Sequence, residues 1–166
     1  MKFANEQDKA RFESAVAANL STIVEAGAKE KYDHYGVYCI KVYGVIVYVG
    51  KSRNMLKRVA QHMAEIEMNH DKNMYNVLRK LKETGASISF DVLRVIGERG
   101  INEELWDDEM GKSEAVLISS YRPCLNIQYP HLDDYHKYDY EPKAKTITAE
   151  EAEKIVVNYY TSRGLV

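Results

Sequence analysis

The chain has 166 residues, 45% of them hydrophobic and 29% charged, with a formal net charge of -2. That length suffices for one domain with a real core, and the composition excludes a disordered polypeptide. A near-neutral balance also argues against a general nucleic-acid coat protein. The two cysteines, Cys39 and Cys124, stand among apolar neighbours with no partner at metal-ligand spacing, and read as buried small hydrophobes. With no signal peptide and no apolar run of transmembrane length in view, a reducing cytoplasm is the expected location, away from membranes.

Residues 5–29 carry Phe12, Val16, Leu20, Ile23 and Val24 at helical spacing, with Gly27 near the end, and predict an amphipathic helix. Residues 36–43 and 45–50, rich in Val, Ile and Tyr, predict two strands joined by a tight turn at Gly44. Met55 to about Met68 reads as a helix with Leu56, Val59, Met63 and Ile66 on its apolar side. A second helix runs from about Asn73 to Thr84 and is stopped by Gly85. Residues 87–96 predict a third strand, and residues 101–121 a further helix with Pro123 just beyond it. Residues 129–147 lack a period and read as a linker, after which Thr148 and Glu151 form a capping-box pattern that opens a last helix. The order is that of a small α+β domain with short additions at both ends.

Charge is unevenly spread. From Lys41 to Lys82 nine basic residues face three acids, whereas from Glu98 to Glu114 seven acids face two bases. Such asymmetry suits a basic face that meets phosphate, although solvated helix faces also vary in charge. In the tail, His131, Asp133, Asp134, His136 and Asp139 match no metal-ligand spacing, so a tyrosine-rich tail is the simpler reading.

Within the hairpin, alternation puts Gly36, Tyr38 and Ile40 on one face, and Tyr48 lies on the facing strand. In the following helix Arg58 and His62 are four apart and share a side. Glu114 falls among apolar helix positions, where a carboxylate needs a pairing base or a metal ion. Taken singly, each has a plain alternative: Tyr and Val form strands, Arg58 and Lys57 solvate a helix, and Glu114 joins a salt bridge.

Together they form a pattern. GVY at 36–38, YVG at 48–50, then Ser52, Leu56, Arg58, His62, Glu114 and Asn126 resemble the GIY-YIG nuclease family, with EAVLISSYRPCLN at 114–126 matching its closing Glu, Pro and Asn. The resemblance covers about residues 34–128, leaving 1–33 as a helical extension and 129–166 as linker and terminal helix. Valine replaces isoleucine in both tripeptides, which keeps a β-branched side chain. The resemblance implies a central three-stranded antiparallel sheet flanked by helices.

It also implies an endonuclease that hydrolyses DNA phosphodiester bonds. The family's pattern assigns the general base to Tyr38, orientation of water or phosphate to Tyr48, and the nonbridging oxygens to Arg58. His62 falls to a relay role and Asn126 to the catalytic set, where it fixes the loop after the helix. Similarity to the family places one Mg²⁺ or Mn²⁺ ion on Glu114, an ion that needs few protein ligands. Lys51, Ser52, Arg53 and Lys57 are then candidates for holding the DNA backbone. With no appended recognition module in view, sequence choice falls to the terminal helices, to a homodimer, or to DNA shape. Two rival readings share the fold: a module that binds nucleic acid without cutting it, and a repair nuclease acting on branched DNA.

Overall fold

A computed structural model describes residues 3–68, 73–98, 103–126 and 148–162. The fold is α+β. In chain order its elements are α1 (Glu6–Glu25), α2 (Lys29–Tyr32), β1 (Tyr35–Val42), β2 (Val45–Ser52), α3 (Met55–Glu67), α4 (Asn73–Glu83), β3 (Ile88–Gly97), α5 (Glu103–Tyr121) and α6 (Ala149–Ser162). The sheet has three antiparallel strands in the order β2-β1-β3. The expected linker at 129–147, and with it the His and Asp cluster of the tail, lies outside the described residues.

Local chemistry sets the boundaries. Asn5 caps α1 by accepting from the Asp8 N–H at 2.8 Å. The expected helix over 5–29 ends at Glu25, because Gly27 takes φ +76° and the Ala28 N–H turns back to the Ile23 carbonyl. That is a glycine C-cap, after which the chain makes one short turn, α2, that the periodicity does not predict. The same device ends α4, where Gly85 at φ +87° is followed by an Ala86 N–H bond to Leu81. Between β1 and β2 both Tyr43 and Gly44 have positive φ, as a two-residue hairpin turn requires. At α6 the capping box is formed on both sides: the Glu151 N–H reaches Thr148 Oγ1 and the Thr148 N–H reaches Glu151 Oε2.

The sheet is covered on both faces. On one, Tyr38 packs with Val16 and Ile23 of α1 and with Met55, Leu56 and Val59 of α3, while Ile40 and Val42 pack on Tyr75, Leu78 and Leu81 of α4 and Ala152 of α6. On the other, Val37, Cys39 and Val49 pack on Ile118 of α5. Cys39 and Cys124 are both buried and not joined in a disulfide, and burial raises the Cys39 thiol to about 11. The register of β2 against β1 slips between Ile40 and Lys41, which leaves Val47 as the extra residue of a bulge. The Val47 carbonyl there accepts from the Leu125 N–H at 2.8 Å. Among the described residues no helix is long and apolar enough to cross a membrane.

Candidate functional site

The glycine of each tripeptide makes room for one neighbour. A β-carbon on Gly36 would run into the Arg94 carbonyl and approach Met55, the residue that opens α3. A β-carbon on Gly50 would lie 2.6 Å from the Tyr38 hydroxyl oxygen and 2.9 Å from Tyr48 Cε1. The Tyr38 ring can therefore lie across β2 only because position 50 has no side chain. Tyr38 stands opposite Gly50 and Tyr48 opposite Ile40, so the two phenol rings meet diagonally with centroids 6.4 Å apart.

Beneath the tyrosines α3 inserts His62, which is fully buried. Its Nε2 is 2.6 Å from the Tyr38 hydroxyl and its Nδ1 is 2.8 Å from the Tyr75 hydroxyl of α4. Phe90 stacks on the imidazole at 6.3 Å, and Tyr48 meets its edge at 5.8 Å. Glu65, one turn on in α3, is buried at 5% exposure and places Oε2 3.9 Å from His62 Nδ1. Burial first, and then the neighbouring Glu65 carboxylate, push the Tyr75 phenol above its usual range.

Tyr75 and Glu65 escape a reading of the sequence by motif. The signal that could have found Glu65 is its spacing, because it follows His62 by three residues on a helix face otherwise made of Val59, Met63 and Ile66. Glu67, by contrast, is exposed and lies 4.0 Å from Lys82, so the two carboxylates of α3 have separate surroundings.

Arg58 lies half-buried near the phenols, with Nη1 3.3 Å from Gln61 Oε1. Burial opposes its charge, but Tyr38, Tyr75 and Glu65 offset that loss, and the guanidinium stays cationic. Burial, reinforced by Tyr48, drives the Tyr38 phenol far above its ordinary range, and the opposing pull of Arg58 is smaller. Burial also raises Tyr48, again against Arg58. Both phenols are therefore neutral at physiological pH, and Tyr38 can act as a base only by first passing its own proton on.

Glu114 projects from α5 with 20% of its side chain exposed, and its Oε2 is 3.1 Å from Lys51 Nζ. Lys51 in turn lies against Gly111 of α5. The Glu114 charge is felt at both Tyr38 and Tyr48, which places it in the electrostatic field of the site. Among the described residues no three His, Cys, Asp or Glu side chains converge as a metal cluster. A cation held at Glu114 would have one carboxylate donor, a set that fits Mg²⁺ with its retained waters better than Zn²⁺ with its closed shell.

Of the remaining predicted residues, Ser52, Arg53 and Asn126 have structural partners. Ser52 Oγ accepts from the Asn54 N–H at 3.0 Å, and Asn54 in turn caps α3. Arg53 donates from Nε to Asp107 at 3.0 Å and lies 3.7 Å from Glu103, both on α5. Lys57 is exposed on the first turn of α3. Asn126 uses both ends of its amide on β2, accepting from the Val49 N–H at 2.9 Å and donating to the Val49 carbonyl at 2.8 Å. One lone pair of Oδ1 and one N–H of Nδ2 thus tie the loop after α5 to β2. The structure thus gathers Tyr38, Tyr48, Arg58 and His62 into one group and sets Lys51 and Glu114 beside it. No protein-family model, curated protein or solved structure gives a significant match to this chain.

Proposed function

We propose that the chain is a metal-dependent endonuclease that hydrolyses DNA phosphodiester bonds, a site of the GIY-YIG kind. The observation that carries this reading is the 2.6 Å hydrogen bond between Tyr38 and His62 beside a cationic Arg58. Hydrolysis requires a proton acceptor for water and donors for the charge that gathers on the phosphate. The planar fork of Arg58 suits the nonbridging oxygens. Tyr38 gives its proton to His62 and takes one from the attacking water, and Tyr48 orients the phosphate. Glu114 would hold the Mg²⁺ or Mn²⁺ ion, which would supply Lewis acidity toward the departing 3′ oxygen. Lys51, Ser52, Arg53 and Lys57 line the turn after β2, where a DNA backbone can run.

Two observations favour a second reading, binding without cleavage. Tyr38 is only 1% exposed, and the Lys51 ammonium holds the carboxylate that would take the ion. Nicking of supercoiled plasmid in Mg²⁺ separates the two. The wild type is expected to nick, Glu114→Gln to lose nicking, and Tyr38→Phe to fall by about a hundredfold or more. Failure of all three to cut plasmid, forks or four-way junctions in Mg²⁺ and Mn²⁺, while all bind them, establishes the binding module instead.

A further inference from the structure

Strand alternation puts Lys51 on the same face of β2 as Val49, the face that packs against α5. Its side chain runs across α5 at Gly111, where a β-carbon would lie 3.6 Å from Nζ, and ends 3.1 Å from Glu114 Oε2. Gly111 and Glu114 are three apart on the helix, so bare backbone and carboxylate lie side by side beneath this lysine. Glu114 is also the most sheltered carboxylate among the ion pairs described on α5, at 20% exposure against 35% or more for Glu103, Asp107, Asp108 and Glu109. Water therefore screens its pair with Lys51 least. The lysine itself is 45% exposed, on a flexible four-carbon stem beside Ser52 and the turn that leads into α3. One partner of the pair is thus held in place while the other can swing.

We propose that Lys51 is a removable counter-ion, which occupies Glu114 in the protein alone and leaves it for a DNA phosphate, opening the carboxylate to a divalent cation. The proposal rests on the hydrolytic reading for the identity of both ligands, whereas the ion pair itself does not depend on it. Two cations compete for one carboxylate, so a Mg²⁺-type ion has either to displace Lys51 or to bind beside a like charge. A phosphodiester along the turn after β2 offers the ammonium an equivalent anion, and Lys51 then gives up Glu114 at little cost. DNA and metal thereby bind with positive coupling, each raising affinity for the other by the same factor. Arg53 does not share this role, because it is turned to Glu103 and Asp107 nearer the start of α5. The consequence is an order of assembly: the site takes up its ion with DNA in place, and the protein without DNA holds little metal.

Titration of the full chain with Mn²⁺, followed by the electron paramagnetic resonance of the unbound ion, reads the competition without DNA or activity. Lys51→Met keeps an apolar stem on Gly111 and removes the charge, so it is expected to fold and to bind Mn²⁺ about tenfold more tightly than the wild type. Lys51→Arg keeps the charge and is expected to bind as weakly as the wild type. The gain must vanish when Lys51→Met is combined with Glu114→Gln, which leaves only the other surface carboxylates. Wild type and Lys51→Met within about twofold of each other overturn the proposal, as does a gain that survives Glu114→Gln. Fluorescence anisotropy of a labelled duplex, with EDTA or with Ca²⁺, then reads the coupling. The ratio of the two duplex affinities is expected to be about tenfold larger for the wild type than for Lys51→Met, since only the wild type has a lysine to exchange. Equal ratios, or no duplex binding by either form, overturn the exchange. If the wild type nicks plasmid while Mn²⁺ affinity ignores position 51, the exchange falls and the hydrolytic reading stands. If competition and coupling are both seen and no form of the protein nicks, hydrolysis falls and the exchange stands.

Discussion

A methyl group at position 50 would meet the phenol of Tyr38 before it met anything flexible, since that ring is held by His62 at its hydroxyl. Gly50→Ala is therefore expected to push Tyr38 out of its hydrogen bond and to cost about 1–3 kcal/mol of stability by overpacking. Urea unfolding measures the loss, and a variant as stable as the wild type would show that the ring can retreat. Individual residues differ in how well the sequence announces them. Tyr38, Tyr48, Arg58 and His62 are picked out by the resemblance to a family pattern, while hairpin alternation and a four-residue helical step indicate only which side chains share a face. Tyr75 does not, because its link to His62 joins separate helices and leaves no local trace in α4.

Among the elements, α2, β1 and β3 are tied together at Asp91. Lys31 lies 2.6 Å from one of its oxygens, Lys41 lies 3.0 Å from the other, and the Val92 N–H adds a third bond. The Lys31 bond leads the effects that hold the Asp91 carboxyl at about 2, against an ordinary value of 3.8. Because the folded-state value is the lower one, this stabilisation is complete above about pH 4 and is lost as pH falls toward 2. Solvent screens the partly exposed cluster, so Asp91→Asn is expected to cost only about 0.5–1 kcal/mol at neutral pH. Denaturation at a series of pH values should show the difference vanish near pH 2, and a gap that persists there would mean that packing, not charge, is responsible. The elements themselves were largely legible, since periods of two and of 3.6 separate strand from helix. The short α2 was not, because one helical turn after a glycine cap is too brief to show a period.

Across the whole molecule, the charge asymmetry of the sequence has an internal use. Lys51 and Arg53 from the basic stretch meet Glu114, Asp107 and Glu103 from the acidic one, so part of that contrast docks α5 against the end of β2. Helix α1 is likewise built into the core, because Val16 and Ile23 share a cluster with Tyr38 and Val59. Ile23→Ala is expected to cost about 2–5 kcal/mol and to lower the melting point identically by circular dichroism and by the fluorescence of Trp106. Separate transitions from the two probes would show that α1 melts on its own. Strand order and the contact of Asn126 with Val49 could not be read in advance, since residues 77 apart are joined by no local period. That contact has a consequence for association. β2 lies at the margin of the sheet, where open N–H and C=O groups invite another chain to add a strand. Asn126 occupies both backbone groups of Val49, and Leu125 takes the carbonyl of Val47, so two residues near the end of α5 serve as a miniature fourth strand. Freed of that cover, the margin of β2 becomes the first place where copies of this protein would zip together and aggregate.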